Sequence, residues 1–281
     1  MSNILCIYHG NCADGFASAW VVRKFYKEIH NKEIDFFPGV YQNPPPNVVG
    51  KDVIIVDFSY KRPILEKIKI EANTLLILDH HKTAMEDLQG FEGAIFDMER
   101  SGAMITWNHF FPKREPPQLI KHIQDRDLWQ FKLDGTREIQ AAIFSYPYNF
   151  DTWDSIIASE VDGGLHDLRL MGEAIERKHF KDINELLAVC KRRMKIADYN
   201  VPVANLPYIF SSDAGHIMAK DEPFAACYMD TPEGRVYSLR SEEKGVDVSA
   251  VAKIFGGGGH KNAAGFRTRN LNYDEISAVD D

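Results

Sequence analysis

Histidine and aspartate recur at three places in the first hundred residues, each time directly after a short apolar run. His9 follows ILCIY (residues 4–8), with Asp14 five residues further on; Asp57 follows VIIV (53–56); Asp79, His80 and His81 follow LLIL (75–78). Imidazoles and carboxylates without paired thiolates are the donors of Mn²⁺ or Mg²⁺ sites rather than of thiolate-rich zinc sites. One carboxylate shared by two ions about 3.5–4 Å apart would form a clamp for phosphoryl chemistry. Asp57, on the middle run, is the candidate for that bridge. A fourth acidic candidate is Asp125 or Asp127 in IQDRDLW, after a helix expected at residues 118–124. A single aspartate after a strand is usually a turn or cap residue, and a single histidine a structural hydrogen-bonder. The threefold repetition is what favours a site.

Elements must bring these residues together. The three apolar runs are continuous rather than alternating, as strands buried on both faces of a parallel sheet are. Amphipathic stretches lie between them. Residues 14–29 place Phe16, Ala19, Trp20 and Val22 at helical spacing, and 63–72 opens on a proline suited to a first helical turn. IDFF (34–37) reads as a further strand, followed by the turn-rich stretch 42–47 with its three prolines. Alternating strands and helices predict a doubly wound α/β sheet. Ligands of such sheets collect beyond the carboxyl ends of the strands, where His9, Asp14, Asp57, His80 and His81 would converge.

From 165 to 199 breakers are few, and Leu168, Met171, Ile175, Phe180, Ile183, Leu187 and Cys190 recur near the helical period. This predicts one long helix, or two, linking a first domain (1–164) to a second (200–281). The second contains strands near 224–229 and 235–239 around a TPEG turn, and a helix near 248–255. GGGGH (256–260) and AAG (263–265) follow. Glycine runs let a backbone approach a ligand and form anion-holding N–H nests, which makes Gly257, Gly258, Gly259 and His260 binding candidates. Arg240, at the end of YSLRS, could face them.

Composition narrows the partners. The chain has 281 residues, 44% of them hydrophobic, enough for one large core or two modest ones. Its formal net charge is 33 − 41 = −8, the opposite of the basic stripe that long nucleic acid requires. Short nucleotides remain possible partners, because metal ions can supply positive charge locally. Four cysteines (Cys6, Cys12, Cys190, Cys227) make no CxxC pair, which indicates a reducing compartment. No signal-like leader or membrane-length apolar stretch is present, so a cytoplasmic location and no membrane partner are expected.

Taken in order, HGNCADG (9–15), VDFS (56–59), DHH (79–81), QDRD (124–127) and GGGGHKNAAG (256–265) resemble the DHH/DHHA1 phosphoesterases over nearly the whole chain. That superfamily includes RecJ-like nucleases, oligoribonucleases and phosphatases of 3′-phosphoadenosine 5′-phosphate. The resemblance implies a DHH domain joined by the helical linker to a smaller α/β domain of the DHHA1 type. It implies two Mn²⁺ ions, with Mg²⁺ or another divalent metal as substitutes. His9 would hold the first ion, Asp14 the second and Asp57 both, with His80 and Asp125 completing the second site. His81 would face the substrate phosphate, and Arg240, Gly257–Gly259 and His260 would bind the nucleotide.

The function so implied is hydrolysis of short oligonucleotides or dinucleotides to mononucleotides by a two-metal-activated water. Alternatives are a 3′,5′-bisphosphonucleotide phosphatase, a cyclic nucleotide phosphodiesterase and a non-catalytic nucleotide-binding protein. The chain departs from the family at Cys12, which stands where the first aspartate of D-x-D-G commonly falls. A thiolate there would favour Zn²⁺ or Fe²⁺; the expectation is that Cys12 is not a ligand and water completes a weakened first site.

Overall fold

In the computed structural model, which describes residues 3–268, the three apolar runs become adjacent strands. β1 (Ile4–His9), β2 (Asp35–Gly39), β3 (Asp52–Val56), β4 (Thr74–Asp79) and β5 (Ala94–Phe96) form a sheet in the order β2-β1-β3-β4-β5. Every pairing is parallel. Alternate side chains leave opposite faces of a strand, and here both faces are covered, which is why the runs are apolar throughout. On one face Leu5, Ile7, Val53, Ile55 and Ile77 pack with Leu65 and Ile68. The last two belong to α2 (Arg62–Glu71). On the other face Ile4, Cys6, Ile54, Val56 and Leu78 meet Ala19, Val22 and Ile105, from α1 (Ala13–His30) and α4 (Gly102–Phe110). Each large aliphatic side chain so buried contributes roughly 1.5–3 kcal/mol.

The short helix α3 (Lys82–Asp87) follows β4. Beyond β5 the chain is helical: α4, then α5 (Gln118–Asp127), α6 (Thr136–Phe144), α7 (Phe150–Ser159) and α8 (Gly164–Cys190). Their apolar faces close around Trp107, Leu119, Ile123, Ile143 and Trp153, with Phe16 and Trp20 from α1. The strand order runs outward from β1 to β2, then restarts on the other side with β3. Open α/β sheets place their ligands at this reversal, just past the carboxyl ends of the strands.

A second compact unit begins within α8, the division falling between Arg177 and Lys178. The helix expected over 165–199 ends at Cys190, and the chain turns directly into β6 (Arg192–Ile196) and β7 (Tyr199–Asn205). With β8 (Ala225–Thr231), β9 (Gly234–Arg240), β10 (Gly258–Gly259) and β11 (Ala263–Thr268), these strands form a mixed sheet, ordered β10-β11-β9-β8-β7-β6. Only β7 and β8 pair in parallel. α9 (Ser211–Ala219) and the end of α8 cover one face through Ala214, Met218, Ile183 and Leu187. α10 (Val248–Ile254) covers the other through Val248, Val251 and Ala252. Among the described residues no helix is long and apolar enough to cross a membrane.

Candidate metal centre

The residues after β1, β3 and β4 meet at the carboxyl end of the first sheet. Delivery of His9 depends on Gly15: a Cβ there would lie 2.2 Å from the His9 carbonyl oxygen, so only glycine lets α1 start this close to β1. Asn11, at φ 57°, turns the chain between them. Asp14, in the first turn of α1, accepts the N–H groups of Gly102 (2.6 Å) and Ala103 (3.0 Å) at the start of α4. A carboxylate is well placed there, since the first N–H groups of a helix lack internal partners and carry partial positive charge.

Asp57 is the centre of the cluster. It sits in the left-handed region (φ 53°), a conformation costly for non-glycine residues, and its N–H donates to the Leu78 carbonyl (2.9 Å). Gly102 makes room for it: a Cβ at that position would fall 2.4 Å from the Asp57 Cβ. Asp57 is 1% exposed, yet neither carboxylate oxygen has a hydrogen-bond donor in good geometry. The nearest groups are His80 Nε2 at 3.1 Å from Oδ1 and His9 Nδ1 at 3.4 Å from Oδ2. His80 Nε2 also lies 3.8 Å from Asp14 Oδ2 and 3.5 Å from Asp127 Oδ2.

Ligand atoms of His9, Cys12 and Asp57 lie within 4.8 Å of one another, as do those of Asp14, His80 and Asp127. Burial, then repulsion from Asp57 and Asp127, pushes the Asp14 carboxyl well up. Burial also raises Asp127, against the pull of His80. Burial would lower His80, but Asp127, Asp57 and Asp14 outweigh it and raise it to about 10. Burial would likewise raise Asp57, but His80 and His9 hold it well below the usual carboxylate range. A buried carboxylate whose nearest partners are two imidazoles, with two further carboxylates beside them, fits a divalent cation: such ions are bound by oxygen and nitrogen donors of this kind, and buried charge is otherwise expensive.

His81 is oriented by Asp79. The Asp79 carboxylate is fully buried and takes His81 Nδ1 (2.7 Å), the N–H groups of His80 (2.7 Å) and His81 (3.2 Å), and the Ser59 hydroxyl (2.6 Å). The last contact accounts for the serine of VDFS. Burial alone would lower the His81 pKa; Asp79 more than compensates and raises it.

One expected ligand is corrected. Asp125 does not join the cluster: its carboxylate accepts from the N–H groups of Lys132 (2.8 Å) and Leu133 (3.0 Å) and from the Thr136 hydroxyl (2.6 Å). It is a loop anchor, and Asp127 stands beside His80 instead. The signal was in the sequence: Asp127 continues the stripe of Ile120 and Ile123 at i+7 and i+4, spacings that share a helix face. Cys12, expected to be a bystander, converges with His9 and Asp57; burial and then Asp57 push its thiol well up.

In the second unit the glycine run is built into the sheet. Gly258 and Gly259 pair with Gly265 and Ala264. A Cβ at Gly257 would lie 2.0 Å from the Gly265 carbonyl oxygen, and Gly259 has φ 140°. Gly257–Gly259 are therefore packed closely against β11 rather than forming a flexible loop. Arg240 pairs in register with Ala263, whose carbonyl accepts the His260 N–H (2.8 Å). The Arg240 guanidinium donates to Ser212 Oγ (2.7 Å) and to the Leu239 carbonyl (2.8 Å).

No protein-family model matches the chain. An uncharacterized protein, R106, of Acanthamoeba polyphaga mimivirus is 34% identical over 283 residues; the match covers 92% of this chain, which spans 66% of the length of that relative. A solved pGpG-specific phosphodiesterase, PggH from Vibrio cholerae, aligns with a TM-score of 0.49 at 15% identity, over 95% of this chain and 93% of that one. The solved DHH domain of PF0399, described as a member of the S1p family of ribosomal proteins, aligns with a TM-score of 0.56 at 14% identity, over 94% of this chain and 82% of that one. With an all-parallel first sheet, a mixed second sheet and this alignment, the chain has the two-sheet fold of that DHH domain.

Proposed function

We propose that the chain is a metal-dependent phosphohydrolase that cleaves phosphodiesters of dinucleotides or short oligonucleotides to mononucleotides. The observation that carries this reading is Asp57, buried between His9 and His80 with no donor in good hydrogen-bond geometry on either carboxylate oxygen. A carboxylate in that position is suited to two ions, one beside His9 and one beside Asp14, His80 and Asp127. Bound divalent ions supply positive charge that lowers the pKa of water and neutralises the phosphoryl oxygens.

The chain's own residues do the rest. Asp79 fixes the His81 ring through Nδ1 and favours its imidazolium form, in which Nε2–H can donate to a phosphoryl oxygen as charge grows there. Arg240 and His260 are the second unit's candidates for a terminal phosphate, with the backbone of Gly257–Gly259. With a net charge of −8, nucleotides beyond the first few gain little electrostatic affinity.

The test is a substrate panel with metal-free and Mn²⁺-reconstituted protein: pApA, pAp, cyclic dinucleotides and single strands of increasing length. Turnover should need the ion, vanish with chelator, and be highest for dinucleotides to roughly pentamers, because only terminal phosphates are gripped. Faster cleavage of long strands than of dinucleotides would overturn the length preference. Cleavage of pAp alone would replace the diesterase reading with a phosphatase.

A further inference from the structure

Cys12 occupies the N-cap of α1, a position normally held by Ser, Thr, Asp or Asn because their side chains accept a free helix N–H. Its backbone has cap geometry (φ −125°, ψ 135°), and the Gly15 N–H is the backbone donor nearest its thiol. The thiol also reaches the cluster: Sγ, a His9 nitrogen and an Asp57 oxygen lie within 4.8 Å of one another. A second observation points to a ligand at the same place. Asp57 is 1% exposed and its carboxylate lacks any hydrogen-bond donor in good geometry. The other cysteines are occupied differently: Cys6 and Cys227 are core residues, and Cys190 packs against the core beside α9.

A nitrogen, a sulfur and an oxygen donor make a borderline set. Thiolate favours Zn²⁺ and Fe²⁺, whereas Mn²⁺ and Mg²⁺ prefer oxygen. We infer that Cys12 is a thiolate ligand, and that the position formed by His9, Cys12 and Asp57 takes a thiophilic divalent ion, Zn²⁺ or Fe²⁺, rather than Mn²⁺. The position formed by Asp14, His80 and Asp127 keeps hard donors, so the two positions differ in metal preference. Binding at the first position releases one proton, that of the Cys12 thiol, to solvent. This inference deepens the metal-dependent reading above and rests on it only for the presence of a metal at the cluster.

The experiment uses Co²⁺ as a probe on the metal-free full chain. Wild type should develop a thiolate-to-cobalt charge-transfer band in the near ultraviolet. Cys12→Ser and Cys12→Asp should lose that band while keeping the visible absorption of bound Co²⁺, which also shows that the variants fold. In competition, the preference for Zn²⁺ over Mn²⁺ should fall in Cys12→Asp by about tenfold or more, a scale on which even outer-shell changes alter metal affinity. A Co²⁺-loaded wild type without the band, or a band that persists in Cys12→Ser, would overturn the assignment. A wild type that shows the band but hydrolyses no phosphodiester would leave Cys12 a ligand and sink the phosphoesterase reading alone.

Discussion

Asp125 and Asp127 are two residues apart and lie in different surroundings, and paired substitutions separate them. Asp127→Ala should lower metal content and turnover with little change in the metal-free melting temperature. Asp125→Ala should keep its metal but lose about 1–3 kcal/mol of stability, the usual cost of leaving donors unsatisfied, here the buried Thr136 hydroxyl and the partly buried Lys132 and Leu133 N–H groups. Denaturant melts and metal analysis of both variants would decide; equal metal loss in both would restore Asp125 as a ligand. Asp125 also has a pH signature. Burial would raise its pKa, but Thr136, Lys132 and Leu133 hold it below the ordinary value. Its contribution is complete above the unfolded-state pKa of about 3.9 and is lost as pH falls through the lower folded-state value. Asp125→Asn should therefore flatten the acid limb of a stability–pH curve. The clustering of His9, Asp14, Asp57, His80 and His81 was legible because each follows or starts a recognisable element. Asp125 was misread because adjacent motif residues on a helix look alike until the helix phase is fixed.

At the scale of elements, the site depends on glycines that let backbones touch. Gly102 opens α4 against Asp57, and Gly15 opens α1 against His9. Gly102→Ala would force Asp57 or the α4 N-terminus to move, costing typically 1–3 kcal/mol as an overpacking change and weakening metal binding as well. Calorimetry on the metal-free and loaded variant measures both; retention of wild-type metal affinity would show that the approach is not needed. The strands of the first sheet were readable because burial on both faces makes a run apolar from end to end. β5 escaped, being only three residues long. The β6–β7 hairpin escaped for a different reason. RRMKI has the polarity of an exposed helix turn, and its two-residue connection begins with Ala197 at φ 51°, without the Asn-Gly or Asp-Gly pair that usually marks such turns.

For the molecule as a whole, the division near Arg177 assigns the His/Asp cluster to the first unit and the mixed sheet to the second. Chains of this kind need not unfold in one step. An ion bound only by the folded first unit stabilises it by about 2.7 kcal/mol at a hundredfold excess over Kd. Scanning calorimetry with and without metal should thus show one transition that moves with the ion and one that does not; two transitions shifting equally would mean that the units unfold together. The mixed sheet also bears on solubility. Among the described residues β6 pairs only with β7 and has no strand on its outer side, so a row of backbone donors and acceptors faces outward. Exposed edges of this kind recruit other chains unless charge or brevity prevents it. The opposite edge, β10, is two residues long, and β6 carries exposed Arg192, Arg193 and Lys195. Those cations act as a barrier to self-association: Arg193→Thr with Lys195→Thr should give concentration-dependent oligomers in sedimentation velocity where the wild type stays constant, and a variant that remains unchanged at the same concentrations would place the protection elsewhere.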